Sequence, residues 1–330
     1  MAGEPMGEGA ARDTWVRPDG RTVRYYHLDE PLPQKLSLAV VTGADTYVGR
    51  AVVQFLHGHG LPVAALSTAP LPLAVPRFVG TAGFGPAWEA LLAAHEVHTV
   101  YHCTRQPAPG WGSSPTRRQE AEAWAVHVAD TLALLARWDD EPPAVVLLSS
   151  AAVYGDGDPA LVAENRPLAP DSAYGHSLAA AEALVADFAP RHVILRLFEV
   201  VGPDHVGRVA DSPETPWTQL TRGQAVTTVP ERTDYVALDA VVTALASAGQ
   251  HLIDGGAPLT LNLGTGVATD PAALAAAFSV PVPPTFVGKG LVADMSRMRS
   301  AWGWVPPAPP LPALARASRA ALAAEALAHD

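Results

Sequence analysis

The sequence predicts an α/β chain built on a doubly wound parallel sheet, with a smaller α/β lobe after it. Three observations carry this. Short apolar runs alternate with helical patterns from Leu36 to about residue 200. The runs, such as Ala144-Val145-Val146-Leu147-Leu148, are apolar throughout rather than alternating, as strands covered on both faces are. The first run, ending Val40-Val41-Thr42, meets a turn from Gly43 to Gly49 that opens a helical pattern.

Taken in order, residues 1–35 form an N-terminal extension. Within it, Trp15 to Tyr26 reads as a short hairpin with Asp19-Gly20 as its turn, covering a sheet edge or a partner subunit; the alternative is a poorly ordered leader. Strands are expected near 37–42, 62–67, 97–103, 144–150 and 192–198, and helices near 48–58, 86–94, 118–138 and 174–189. Together these make residues 36–200 a Rossmann-like dinucleotide-binding domain. Residues 201–330 read as the substrate-binding lobe, interleaved with the first. It holds the Gly255-Gly256 turn, the run Leu259-Thr260-Leu261-Asn262-Leu263, a helix from Pro271 and an alanine-rich helix from Leu311. Pro306-Pro307-Ala308-Pro309-Pro310 reads as a stiff connector.

Composition removes several function classes. The 330 residues are 48% hydrophobic and 17% charged, so the chain can bury a sizeable core. A net charge of −11 argues against a nucleic-acid or anionic-membrane surface. The single cysteine, Cys103, forbids an intramolecular disulfide and suits a reducing cytoplasm. The first twelve residues lack the basic and apolar regions of a signal peptide, and no apolar run is long enough to span a membrane. The pairs His57 and His59, and His95 and His98, lack further ligands, so no metal is expected.

Ligands of doubly wound sheets lie at the carboxyl ends of the strands. Here those are 43–49, 67–69, 103–107, 149–155 and 199–205. In the first, Gly43 makes the tight turn and Gly49 lets helix and strand pack closely. The helix N-terminus turns free N–H groups toward a pyrophosphate. Thr42, Gly43, Asp45, Thr46, Tyr47, Val48, Gly49 and Arg50 are therefore the cofactor candidates, with Ser67 and Cys103 at the next strand ends. Thr46 stands where the fingerprint has its middle glycine, and narrows or closes the phosphate site. The second strand ends Leu66-Ser67-Thr68, without the acid that accepts from the ribose of NAD. This points to NAD(P)(H) with a tilt toward NADP(H), Arg50 or Ser67 meeting the 2′-phosphate; it fits a site without cofactor equally.

Further segments follow in a fixed order: Tyr101-His102, Ser149-Ser150-Ala151-Ala152-Val153-Tyr154-Gly155, Glu164, Tyr174-Gly175-His176-Ser177, Leu195-Arg196-Leu197-Phe198, Asp234-Tyr235-Val236, Asn262-Leu263-Gly264-Thr265-Gly266 and Trp302-Gly303-Trp304. With the glycine turn, this set resembles the extended short-chain dehydrogenase/reductases, the branch of sugar-nucleotide epimerases, dehydratases and ketoreductases. The resemblance covers about residues 36–325 and implies a catalytic Asn, Ser/Thr, Tyr and Lys. Ser150 matches the hydroxyl and Tyr174 the tyrosine. The lysine place holds Leu178, and His127 stands for the asparagine.

A tyrosine titrates near ~10, and the family's lysine lowers that value. Without an ammonium, Tyr174 remains a phenol that can still donate a proton to a forming alkoxide and is a poor base, so the resemblance points to ketone reduction. Family dehydratases carry an acid after the hydroxyl, where this chain has Ala151 and Ala152, so dehydration is not expected. Epimerases need the tyrosine as a base, so Leu178 speaks against them as well. Ala152, Glu199, Arg222 and Arg232 are the substrate-side candidates. Glu199 takes the place of an asparagine that helps hold the family's diphosphate, and a carboxylate facing a diphosphate repels it. His176, two residues past Tyr174, points to another helix face. The expected reading is an atypical ketoreductase of a small molecule, a keto-sugar nucleotide or natural-product ketone. The alternative is a non-catalytic member of the fold, a partner subunit or ligand sensor. The family's dimer seam corresponds here to helices 118–138 and 174–189.

Overall fold

The computed structural model describes residues 14–16, 22–24, 36–68, 70–71, 74–80, 86–103, 116–138, 142–156, 161–203, 215–226, 228–280, 285–286 and 288–328. A small hairpin pairs β1 (Thr14–Val16) with β2 (Thr22–Arg24), antiparallel, Trp15 opposite Val23. This matches the expected hairpin; its Asp19-Gly20 turn lies outside the described residues. The main domain runs β3 (Leu36–Thr42), α1 (Tyr47–Gly58), β4 (Val63–Ser67), β5 (Arg77–Val79), α2 (Pro86–Ala94), β6 (His95–His102), α3 (Arg117–Trp124), α4 (Asp130–Leu135), β7 (Ala144–Ser150), β8 (Leu161–Val162), α5 (Ala173–Phe188) and β9 (His192–Leu197). It continues with β10 (Glu199–Val201), α6 (Pro216–Thr221), β11 (Thr228–Val229), β12 (Thr233–Ala237), α7 (Leu238–Ile253) and β13 (Leu259–Leu263). Last come β14 (Ala268–Thr269), α8 (Pro271–Phe278), β15 (Thr285–Phe286), β16 (Val292–Ala293), α9 (Ser296–Trp302) and α10 (Leu311–Ala328).

Seven strands form one parallel sheet in the order β13-β9-β7-β6-β3-β4-β5. The chain leaves β3 toward one edge and returns to β6 on its other side, so the crevice opens between the ends of β3 and β6. Burial explains the apolar strands: β4 and β9 are buried at every position. Two expectations are corrected. The run 259–263 belongs to the main sheet, pairing in parallel with β9, rather than to the smaller lobe. The long helix is divided, with a π-helical turn at Ala125–Ala129 between α3 and α4. The sequence reading also passed over α7, whose Leu238, Val241, Val242, Leu245 and Leu252 are buried at helical spacing.

The smaller lobe has its own core of Val201, Trp217, Leu220, Tyr235, Leu274 and Phe278. Trp217 meets Phe278 edge-on, centroids 4.7 Å apart. The lobe reaches the crevice through β10, which pairs in parallel with β12 and sets Glu199 opposite Tyr235.

Candidate active site

At the β3–α1 turn both outer glycines are required. Gly43 has φ +63°, and a Cβ there would stand 1.7 Å from the Cys103 carbonyl oxygen. A Cβ at Gly49 would stand 2.2 Å from the Gly43 carbonyl oxygen. Position 46 needs no glycine: Thr46 is the N-cap of α1 with φ −78° and ψ 161°. Its hydroxyl accepts from the Gly49 N–H at 3.0 Å and donates to the Gly43 carbonyl at 2.8 Å. The cap thus occupies an N–H that an open helix end would turn toward a phosphate.

The other cofactor candidates separate by burial. Gly43, Asp45 and Thr46 remain partly exposed, whereas Thr42, Tyr47, Val48, Gly49, Arg50, Ser67 and Cys103 are buried. The Thr42 hydroxyl lies 2.7 Å from His102 Nδ1, and the Tyr47 hydroxyl donates to the Gly202 carbonyl. Arg50 is only 2% exposed, so the guanidinium expected to meet a 2′-phosphate is packed inside. Cys103 belongs to the core, and burial pushes its thiol up to about 12. Two glycines keep the turn tight enough for a dinucleotide pyrophosphate, and beside it Asp45 Oδ1 is a buried acceptor without a hydrogen-bond partner, suited to a hydroxyl and not to a phosphate.

Two strand ends away, β7 delivers Ser150 and the first turn of α5 delivers Tyr174. Ser172 caps that helix, accepting from the Gly175 N–H at 3.1 Å. The Ser150 hydroxyl, which accepts from the Ala152 N–H at 3.2 Å, lies beside the Tyr174 phenol. Burial raises the Tyr174 phenol above its ordinary value; the Ser150 hydroxyl opposes the rise and the Glu199 charge adds to it. His127 lies inside the π-helical turn, fully buried, edge-on to Tyr174 with centroids 5.3 Å apart. Its Nδ1 is 2.7 Å from the Ser177 hydroxyl, which donates to the Tyr174 carbonyl. Leu178, one turn past Tyr174, is 1% exposed and part of the main core. Of the chain's two lysines, Lys35 lies outside the described residues and Lys289 is exposed on the smaller lobe. His176 is exposed, off the Tyr174 face as expected.

A cavity of about 250 Å³ opens between Ser150 and the smaller lobe, lined among others by Ala151, Ala152, Glu199, Arg232 and Tyr235. Three of the four substrate-side candidates meet there. Arg222 does not; it ends α6, its N–H bonded back to Leu220 and Thr218. Burial pushes the Glu199 carboxyl up to about 7, against a hydrogen bond from Thr215. The other oxygen, Oε1, is buried without a hydrogen-bond partner. Sequence reasoning missed Thr215, although Thr215-Pro216 is a helix-start signature.

A profile of the NAD-dependent epimerase/dehydratase family matches residues 39–264. The chain belongs to this family. It is 28% identical over 306 residues to the UDP-glucose 4-epimerase of Azospirillum brasilense, covering 81% of this chain and 86% of that one. Among solved structures it is similar to MoeE5 in complex with UDP-glucose and NAD, with a TM-score of 0.73 at 24% identity, covering 86% of this chain and 99% of that one. It is similar also to the UDP-glucose 4-epimerase of Stenotrophomonas maltophila with bound NAD, with a TM-score of 0.73 at 22% identity, covering 88% and 99%.

Much of what makes this chain look like its family is scaffold rather than chemistry. Arg196 and Glu182 form a buried ion pair, Nη2 to Oε2 at 2.7 Å with Nε reaching both oxygens at 3.1 Å. Arg196 Nη1 donates to the Tyr154 hydroxyl at 2.9 Å, and Tyr154 donates to Asn262 Oδ1 at 2.7 Å. Ser149 donates to Glu182. Asp234 accepts from the Thr265, Gly266 and Ala293 N–H groups. These bonds tie β7, α5, β9 and β13 together behind Ser150 and Tyr174, and fasten the smaller lobe beside them. Among the described residues, no helix is long and apolar enough to cross a membrane, and no three His, Cys, Asp or Glu side chains group as metal ligands.

Proposed function

We propose that this protein is a nicotinamide-dependent ketoreductase. The observation that carries the reading is the Ser150–Tyr174 hydroxyl pair, with Tyr174 held as a phenol and no ammonium beside it on α5. The turn from Gly43 to Gly49 would hold the dinucleotide, which when bound supplies the hydride. Ser150 holds the carbonyl oxygen. Tyr174 gives its proton to that oxygen as the alcohol forms, and the phenolate takes a proton back from water. Reduction uses the phenol, which is the form that burial favours. The reverse needs a phenolate as base, and burial makes that scarce near neutral pH.

The substrate is a ketone seated in the cavity beside Ser150. Similarity to proteins solved with UDP-sugars supports a keto-sugar nucleotide, with the half-exposed Arg232 on the cavity wall as its cation. A natural-product ketone fits the same cavity, because the Glu199 carboxyl faces no diphosphate in that case. Ala151 and Ala152 supply no acid for dehydration. The protein acts in the cytoplasm as a homodimer, joined through the α3–α4 and α5 helices, on which Trp124, Leu132 and Phe188 are exposed. Mass in solution tests the dimer.

Oxidation of NADH or NADPH against keto-sugar nucleotides and simple ketones tests the activity. Tyr174→Phe should lose about 10²–10⁴-fold in rate, and alcohol oxidation at pH 7 should run far below reduction. Equal rates in the two directions, or an unaffected Tyr174→Phe, would overturn the reading. Leu178 at the lysine place and the Thr46 cap favour a second reading, a non-catalytic partner subunit or ligand sensor. Failure to bind any nicotinamide dinucleotide at millimolar concentration would select it.

A further inference from the structure

We propose that Asp45 selects the cofactor: it holds the adenosine ribose of NAD(H) and turns NADP(H) away. The assignment rests on the reading that a nicotinamide dinucleotide binds at the β3–α1 turn. In folds of this kind an acid at the end of the second strand accepts from the ribose 2′-hydroxyl. This chain has Ser67 and Thr68 there, which as sequence points toward NADP(H).

The fold supplies the acid from elsewhere. β3 and β4 are neighbours, with Thr42 in register with Leu66, so the glycine turn and the end of β4 lie side by side. Asp45 crosses that gap. Its Oδ2 accepts from the Thr68 N–H at 3.1 Å and from the Thr68 hydroxyl. A carboxylate from 23 residues upstream is thereby anchored on the residue just beyond β4. Its other oxygen, Oδ1, is buried at the turn and has no hydrogen-bond partner. That leaves one acceptor for a ribose hydroxyl at the place where the family fold presents that sugar.

The same carboxylate opposes a 2′-phosphate, which carries between one and two negative charges near neutral pH. The two groups that the sequence offers to offset it, Arg50 and Ser67, are both buried. Arg50 is packed into α1 at 2% exposure, and Ser67 is 3% exposed with its carbonyl bonded to the Gly80 N–H at 2.8 Å.

Calorimetric titration with NADH and NADPH decides the matter, on the wild type, Asp45→Asn and Asp45→Ser. The wild type should bind NADH at least about tenfold tighter than NADPH, with the NADPH affinity rising as salt screens the repulsion. Asp45→Asn should narrow the ratio chiefly by improving NADPH. Asp45→Ser should narrow it from both sides. The position is half-exposed in a turn, and a thermal melt establishes that each variant is folded. Wild-type binding of NADPH as tight as NADH, or a ratio unmoved by both variants, would overturn the assignment while the ketoreductase reading stands. Binding of neither dinucleotide at millimolar concentration would overturn both together.

Discussion

Removing Arg196 tests whether the buried network holds the active-site strands. In Arg196→Met the side chain keeps roughly its length and loses its charge. Glu182, whose side chain is 6% exposed, then keeps only Ser149 as a donor and loses the 2.7 Å bond from Nη2 and both contacts from Nε. Tyr154 and the Glu164 carbonyl each lose a donor as well, at 2.9 and 3.1 Å. Leaving one member of a buried ion pair unpaired costs about 3–5 kcal/mol, and each neutral hydrogen bond adds about 1 kcal/mol where no water replaces it. Against a total of about 5–15 kcal/mol, a loss of ~4 kcal/mol is a large share. Urea unfolding at pH 7, followed by tryptophan fluorescence, should show the midpoint fall with the slope nearly unchanged. The double variant Glu182→Leu with Arg196→Met removes both charges and should recover most of the loss. A single variant within about 1 kcal/mol of the wild type would refute the argument that this pair fastens β7, β9 and α5.

Two further outcomes follow from the site. Thr46→Gly frees the Gly49 N–H and removes a side chain from the phosphate approach, at a stability cost of only a few tenths of a kcal/mol, about what an N-cap glycine costs. Calorimetry should find the dinucleotide bound about tenfold tighter, a gain of roughly 1.4 kcal/mol; an unchanged affinity would mean that Thr46 does not obstruct the site. Glu199 has its carboxyl raised from 4.5 to about 7 by burial, with Tyr174 and Tyr235 feeling its charge, Thr215 bonded to it and Arg232 on the same cavity wall. The folded state therefore holds this proton more tightly than the unfolded one. Its contribution is fully present below about pH 4.5 and lost as pH rises through 7. Glu199→Gln should thus gain on the wild type by ~2–3 kcal/mol between pH 5 and pH 8, read from urea midpoints across that range; a difference independent of pH would sink the account.

Local pattern in the sequence was enough for the strand-turn-helix alternation, because fully apolar runs and helical spacing are properties of neighbouring residues. It was enough too for the hairpin β1–β2, for the demand for glycine at 43 and 49, and for pairing Ser150 with Tyr174 through the family's motif spacing. Only the folded chain decided which strands are neighbours. The run 259–263 reads as a strand anywhere, and its place beside β9 follows from pairing across more than sixty residues of chain. Tertiary packing alone set the exposure of Arg50 and Cys103, which as sequence look like cleft residues and are buried by the elements around them. It also decided that Arg196, Glu182 and Tyr154 serve as scaffold. Asp45 shows the difference most plainly. Nothing near it in sequence marks it as the acid at the end of β4; the parallel register of β3 and β4 brings it to Thr68, because adjacent parallel strands end side by side whatever chain lies between them.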